Sequence, residues 1–129
     1  MVDPSAGWAL GTGLMALGGA VHFVRNEVAR GNIRRNSAVG IRTKATMASD
    51  VAWEAGHASA GPLLTATYLT AYAAGAAAFT LALAVSLSGG GNSAVLVVPL
   101  VGMAAVLGLL TAAAVRANTA ARQAARTSG

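Results

Sequence analysis

The residue types best suited to metal chemistry occur close together in one short stretch of the sequence. Glu54 and His57 have the Glu-x-x-His spacing with which di-iron helix bundles hold their metals, and Asp50 precedes Glu54 by one helical turn. His22 is the remaining histidine. These four side chains are the candidate ligands of a metal-dependent membrane enzyme.

The same residues also fit a structural role, which the sequence favours. A di-iron site needs a second Glu-x-x-His pair and further carboxylates, and the chain has four acids in total. In the structural interpretation, Arg42 is the central cation and pairs with Asp50 or Glu54, while His57 bonds a threonine or the backbone. Lys44 and Arg34 are the alternative partners of Asp50 and Glu54.

Nucleophilic catalysis finds no support in the placement of serine and threonine. Neither a Gly-x-Ser-x-Gly elbow nor a Ser-x-x-Lys pair occurs, and the chain has no cysteine for a thiolate or a Cys-ligated metal. We therefore predict a protein that is not an enzyme and that has no cofactor.

The segments that must position these side chains are strongly apolar. The chain is 55% hydrophobic and 10% charged, with a mean hydropathy of +0.60, whereas soluble domains carry about 25% charged residues. Six of the nine basic residues and three of the four acids fall within residues 25–57. Lipid is thus the expected solvent for the rest, and residues 1–129 are predicted to form a single membrane domain.

Three stretches are long and apolar enough to cross a bilayer. The first is residues 6–24. Residues 58–115 carry no charge, and the Ser88–Ser93 turn sequence divides them into spans at 62–87 and 94–115. The predicted fold class is all-α, a three-helix transmembrane protein.

The basic residues predict the orientation of these spans. All nine lie in the 25–61 loop or the 116–129 tail, and the N-terminus and the 88–93 turn have none. By the positive-inside rule, the loop and the C-terminus are cytoplasmic and the N-terminus is outside. The net charge of +5 is explained by topology, so nucleic acid is not an expected partner. The expected location is the plasma membrane, as a multi-pass protein.

The first span is rich in glycine at helix-packing spacing. Gly7 and Gly11 form a GxxxG pair, which lets helix backbones approach closely in lipid. The favoured interpretation is packing within the chain, and the alternative is the seam of a homo-oligomer.

The loop before the second span has its own predicted structure. Gly40 suggests a turn or a close backbone approach, and Ser49 is a good N-cap for a helix that opens with Asp50. We expect a short cytoplasmic interfacial helix before span two, with Trp53 embedded among lipid headgroups.

The order of residues in this loop resembles the signature of the SdpI family of bacterial membrane proteins. The pattern is Asn, Gly-Ile-Arg-Thr, Thr, Ser with an acid, Trp, and then His and Gly. It falls on Asn36, Gly40, Ile41, Arg42, Thr43, Thr46, Ser49, Asp50, Trp53, His57 and Gly61, with Glu54 inside it. Ten of these form the predicted functional or structural site: Asn36, Gly40, Arg42, Thr43, Thr46, Ser49, Asp50, Trp53, Glu54 and His57.

The resemblance implies a role in immunity, meaning protection of a cell from a secreted peptide toxin, or related signalling through the cytoplasmic loop. The implied partners are the lipid bilayer and a peptide toxin or a membrane or cytoplasmic protein. The alternative function is an accessory subunit of a larger membrane complex, which the small size and the glycine-rich first span favour.

Overall fold

Three α-helices make up most of the computed structural model, which describes residues 3–128. Helix α1 is Ser5–Ala29, α2 is Asp50–Ser88 and α3 is Ala94–Ser128. Within the described range there is no strand, so the all-α prediction is confirmed.

Each helix is long and apolar enough to cross a membrane. The most apolar window of each has a mean hydropathy of 1.3, 1.6 and 2.5 in chain order, and only 22–28% of each window is buried within the protein. Large apolar side chains such as Phe23, Leu87 and Val101 are exposed. So much uncovered apolar surface is expected of helices whose solvent is lipid. The prediction of three membrane-spanning helices is confirmed.

The helices extend beyond the spans predicted from hydropathy. Helix α2 is continuous from Asp50, so the expected short interfacial helix is not a separate element but the first turns of a helix that is about 58 Å long. Pro62 and Pro99 both lie inside helices. The tail after Val115 stays helical to Ser128, because it is rich in alanine and packs Ala117 and Ala121.

Local capping fixes where α2 begins and ends. The Ser49 hydroxyl accepts a hydrogen bond from the Ala52 amide at 3.0 Å, which confirms Ser49 as the N-cap. At the other end, Gly89 adopts φ +71° and its amide bonds the Val85 carbonyl at 3.0 Å. That is the left-handed cap that favours glycine after a helix.

The chain divides into two compact units, each with a part of every helix. The first contains α1 up to Ala20, α2 from Thr67, the turn at 89–93 and α3 up to Gly108. The second contains α1 from Val21, the loop, α2 up to Ala66 and α3 from Leu109.

The first unit is held together where small residues let helices touch. A Cβ added to Gly102 would clash with the Ala74 Cβ, and one added to Gly11 would lie 2.8 Å from the Phe79 ring. Gly7 and Gly11 are both buried against α2. Packing of this GxxxG pair within the chain is therefore confirmed.

The second unit contains a small apolar core of Ala60, Leu64, Ala113 and Ala117. Ile41 of the loop packs against this core, so the middle of the loop is attached to the helices. The candidate site lies in this unit.

Candidate functional site

The loop of residues 30–49, called the motif loop here, lies against the first turns of α2 at Gly40. Gly40 has φ +113°, a conformation that favours glycine. A Cβ at this position would lie 2.7 Å from Cη2 of Trp53 and 3.2 Å from Nε2 of His57. Glycine is needed here both for the backbone conformation and for the space.

His57 fastens the motif loop to α2 through Nε2, while Nδ1 bonds within α2. The Ile41 amide donates to Nε2 at 2.9 Å, and Nδ1 lies 2.9 Å from the Trp53 carbonyl. Because Nε2 accepts, a neutral ring carries its proton on Nδ1 and donates it to that carbonyl. The prediction that His57 bonds the backbone is confirmed. Because both nitrogens of the neutral ring are hydrogen-bonded to the backbone, the role of the ring is structural.

Trp53 is the apolar counterpart of this contact. Its ring is 2% exposed, and its centroid lies 4.1 Å from that of His57. The indole N–H donates to the Ile33 carbonyl at 3.3 Å. The expectation that Trp53 sits among lipid headgroups is wrong, because the motif loop folds over the ring and supplies the hydrogen-bond acceptor that water would otherwise provide.

Thr43 and Thr46 close a tight turn within the motif loop. The Thr46 hydroxyl accepts from the Thr43 amide at 2.9 Å and donates to the Ile41 carbonyl at 2.8 Å, while the Thr43 hydroxyl accepts from the Thr46 amide at 3.2 Å. Thr46 is fully buried. These reciprocal bonds satisfy backbone groups that have no helix or sheet to bond them.

Gly56 provides the space into which this turn packs. A Cβ there would lie 3.0 Å from the Thr46 methyl group and 2.9 Å from the Ala117 carbonyl oxygen. Gly56 thus lets both the motif loop and α3 approach the same side of α2.

The charged members of the motif are exposed, and they pair differently from the prediction. Asp50 accepts from Nε of Arg35 at 2.9 Å, whereas Arg42 donates to the Arg35 carbonyl at 3.4 Å. The prediction that Arg42 pairs with Asp50 or Glu54 is wrong. Arg35 also donates to the Met47 carbonyl at 3.2 Å, so its side chain lies at the start of α2. Asn36 lies beside this pair and lines a shallow surface depression with Arg35 and Asp50.

A larger cleft of about 390 Å³ opens on another side of the second unit. Arg25 and Glu54 supply its charges, and Gly61 and Leu64 line it further along α2. The lining also includes His57, so Glu54, His57 and Gly61 line one cleft, whereas Asp50, one turn before Glu54 on α2, lines the depression beside Arg35. We call this the Arg25–Glu54 cleft.

The metal hypothesis finds no geometric support in the part of the chain that the structure describes. Within residues 3–128 no three His, Asp or Glu side chains converge in a group that could hold a metal ion. Both nitrogens of His57 already face hydrogen-bond partners. The predicted set of His22, Asp50, Glu54 and His57 is not brought together.

Three residues that matter here were missed in the sequence. Gly56 could have been recognised, because a glycine on the same helix face as Trp53 and Ala60 signals a close approach. In the sequence, Arg25 and Arg35 stand out only as basic residues that indicate membrane topology. Nothing in the local sequence distinguishes Arg35 from Arg34 or Arg42 as the partner of Asp50.

The motif and its packing agree with the comparisons with known proteins. A model of the SdpI/YfhL protein family matches residues 32–113, which is more than half of the 129 residues. The matched range contains the whole Asn36–Gly61 motif, all of α2 and the first part of α3. No curated protein and no solved structure matches the chain. With the motif loop, its contact to α2 and the membrane-spanning helices all in place, the chain belongs to the SdpI/YfhL family.

Proposed function

We propose that this protein confers immunity to a membrane-active peptide toxin in the plasma membrane of a bacterium, through a motif loop that faces the cytoplasm. It acts by binding, without catalysis. The observation that carries the proposal is that the motif contains both residues that pack the loop and polar residues that are exposed. Gly40, Thr46, Trp53 and His57 hold the loop on α2, and this leaves the polar members exposed on a fixed surface.

That surface suits recognition because it is pre-formed. Asn36 and Arg42 are exposed on the motif loop, whose backbone is bonded at Ile41 and Thr43, and Asp50 and Glu54 are exposed on the first turns of α2. A partner that binds ordered groups loses less conformational entropy than one that must order them. The mixture of two carboxylates with a guanidinium and an amide fits a polar peptide or protein surface.

Expression in a sensitive bacterium tests the proposal. Cells that carry the protein should survive a panel of membrane-active peptides better than cells with an empty vector, for at least one peptide. The Arg42→Gln/Glu54→Gln variant should lose that protection. Arg122→Gln/Arg126→Gln, on the exposed end of α3, is the matched control and should protect fully. Protection by the motif variant equal to that by the control would contradict the proposed surface.

An accessory subunit of a larger membrane complex is the second candidate. The observation in its favour is an exposed row of small residues on α1, where Gly13 has open space above it and Ala9 and Ala16 are exposed. Small residues at this spacing favour contact with another membrane helix. Purification in a gentle detergent followed by mass spectrometry should then show a stoichiometric partner, whereas a clean homo-oligomer would reject this role.

A further inference from the structure

The Arg25–Glu54 cleft is lined by Glu54, a member of the exposed motif surface, and by Arg25 of α1, which the motif does not include. Arg25 is half-buried and Glu54 is exposed, and the two charges line the same 390 Å³ space. Neither belongs to the ion pairs of the described residues, which join Arg30 to Glu27 and Arg35 to Asp50. Within residues 3–128, the Arg25 side chain donates one hydrogen bond, at 3.2 Å to the side chain of its chain neighbour Asn26.

Apart from these charges and His57, whose ring nitrogens are bonded within the protein, the side chains that line the cleft are apolar. Val28, Ala58 and Leu64 line it, and Gly61 leaves room beside them, since a Cβ there would meet nothing within 4 Å. A ligand that complements this lining carries a negative group for Arg25, a positive group for Glu54 and an apolar portion beside them.

The predicted spans place this cleft at the boundary of the bilayer. Arg25 directly follows the first predicted span, 6–24, and Leu64 lies at the start of the second, 62–87. Headgroups and the first carbons of acyl chains occupy that depth of a membrane.

We propose that the Arg25–Glu54 cleft binds a phospholipid with a primary-amine, zwitterionic headgroup, such as phosphatidylethanolamine. The guanidinium of Arg25 holds the phosphate and the carboxylate of Glu54 accepts hydrogen bonds from the ammonium group. Val28 and Leu64 contact the beginning of an acyl chain. This site does not depend on the proposed immunity function, since a lipid can occupy the cleft whether or not the motif loop meets a toxin.

The headgroup chemistry makes the assignment selective. Phosphatidylcholine has the same phosphate, but its quaternary ammonium has no N–H to donate to Glu54. Phosphatidylglycerol has the phosphate without any cation. The cleft should therefore retain phosphatidylethanolamine over both, by about tenfold if one charge-assisted hydrogen bond distinguishes them.

Native mass spectrometry of the full chain tests the site. The purified protein is mixed with equal amounts of phosphatidylethanolamine, phosphatidylcholine and phosphatidylglycerol that have identical acyl chains. Gly61→Leu places a side chain in the cleft and should lower retention of phosphatidylethanolamine about tenfold. Gly108→Leu makes the same change at another helical glycine with open space above it and should leave retention as in the wild type.

Two charge variants separate the contributions of the headgroup. Glu54→Gln should remove the preference for phosphatidylethanolamine over phosphatidylcholine, and Arg25→Gln should weaken retention of both. Glu54 is exposed, so its variant keeps the proposal testable even if Gly61→Leu does not fold. An unchanged lipid profile in Glu54→Gln would overturn the assignment. Displacement of the lipid by an equal concentration of free phosphoethanolamine would also overturn it, because the apolar walls would then contribute nothing.

Discussion

The first three turns of α2 present two faces that are built for different purposes. On one face Trp53, Gly56, His57 and Ala60 are buried beneath the motif loop and α3. On the other, Asp50, Glu54 and Ala58 are exposed. The family motif draws residues from both faces, so membership in the motif does not by itself distinguish a packing residue from a recognition residue.

The difference lies in how tightly each face constrains its side chains. In the described residues, no buried side-chain nitrogen or oxygen atom is left without a hydrogen-bond partner. Removing one partner on the buried face therefore leaves a buried donor or acceptor without a hydrogen bond, which costs free energy. The open face contacts solvent or lines the Arg25–Glu54 cleft, so its side chains can be substituted with little strain. Substitutions should therefore be costly on the buried face and mild on the open one.

Gly40→Ala should have the largest effect. The new methyl group would lie 2.7 Å from the Trp53 ring, on a backbone with φ +113°. Backbone strain of about 1–3 kcal/mol adds to the cost of overpacking, about 1–3 kcal/mol. Thermal unfolding in detergent and protease sensitivity of the motif loop would both show it.

Gly31→Ala is the matched control for that change. Gly31 also has a positive φ, +80°, but a Cβ there meets nothing within 4 Å. Gly31→Ala should therefore lower the free energy of unfolding by the backbone strain alone. Equal destabilisation by the two variants would mean that the contact with Trp53 adds nothing.

His57→Phe should come next in size. Phenylalanine keeps a ring of similar size beside Trp53, but it leaves the Ile41 amide without its acceptor, at a cost of about 1–3 kcal/mol. Hydrogen exchange at the Ile41 amide should speed up, and the unfolding midpoint should fall. Glu54→Gln on the open face should change neither, and a His57→Phe variant with unchanged exchange would argue against the fastening role.

Gly56→Ala and Gly61→Ala compare the two faces with one chemical change. At Gly56 the methyl group would lie 2.9 Å from the Ala117 carbonyl oxygen, a backbone atom that cannot easily move, so about 1–2 kcal/mol should be lost. At Gly61 a Cβ meets nothing within 4 Å apart from its chain neighbours, and crowding against Pro62 offsets the gain in helix propensity, so alanine should change the free energy of unfolding by less than about 0.5 kcal/mol. Equal losses of stability in the two variants would refute the distinction between the faces.

Local signals predicted most of the fold, and long-range contacts account for what they missed. Apolar length predicted the three helices, and the Ser49 cap and the Gly7–Gly11 spacing are signals carried by residues close in sequence. The burial of Trp53 and the choice of Arg35 as the partner of Asp50 depend on the path of the motif loop. That path is set by the contact of Gly40 with residues 13 and 17 positions later, Trp53 and His57, which periodicity does not reveal.

Asp50→Asn should have the smallest effect, although Asp50 belongs to the family motif. Its pair with Arg35 is well exposed, with 42% of the arginine and 73% of the aspartate side chain accessible, so the interaction is worth about 0.2–1 kcal/mol and weakens with salt. Asp50 also lies at the positive end of the α2 dipole, which contributes about 0.3–1 kcal/mol. A double-mutant cycle with Arg35→Gln separates the two, because the dipole contribution survives the loss of Arg35. A coupling energy above about 2 kcal/mol would place this pair with the buried face, since exposed pairs do not reach that value.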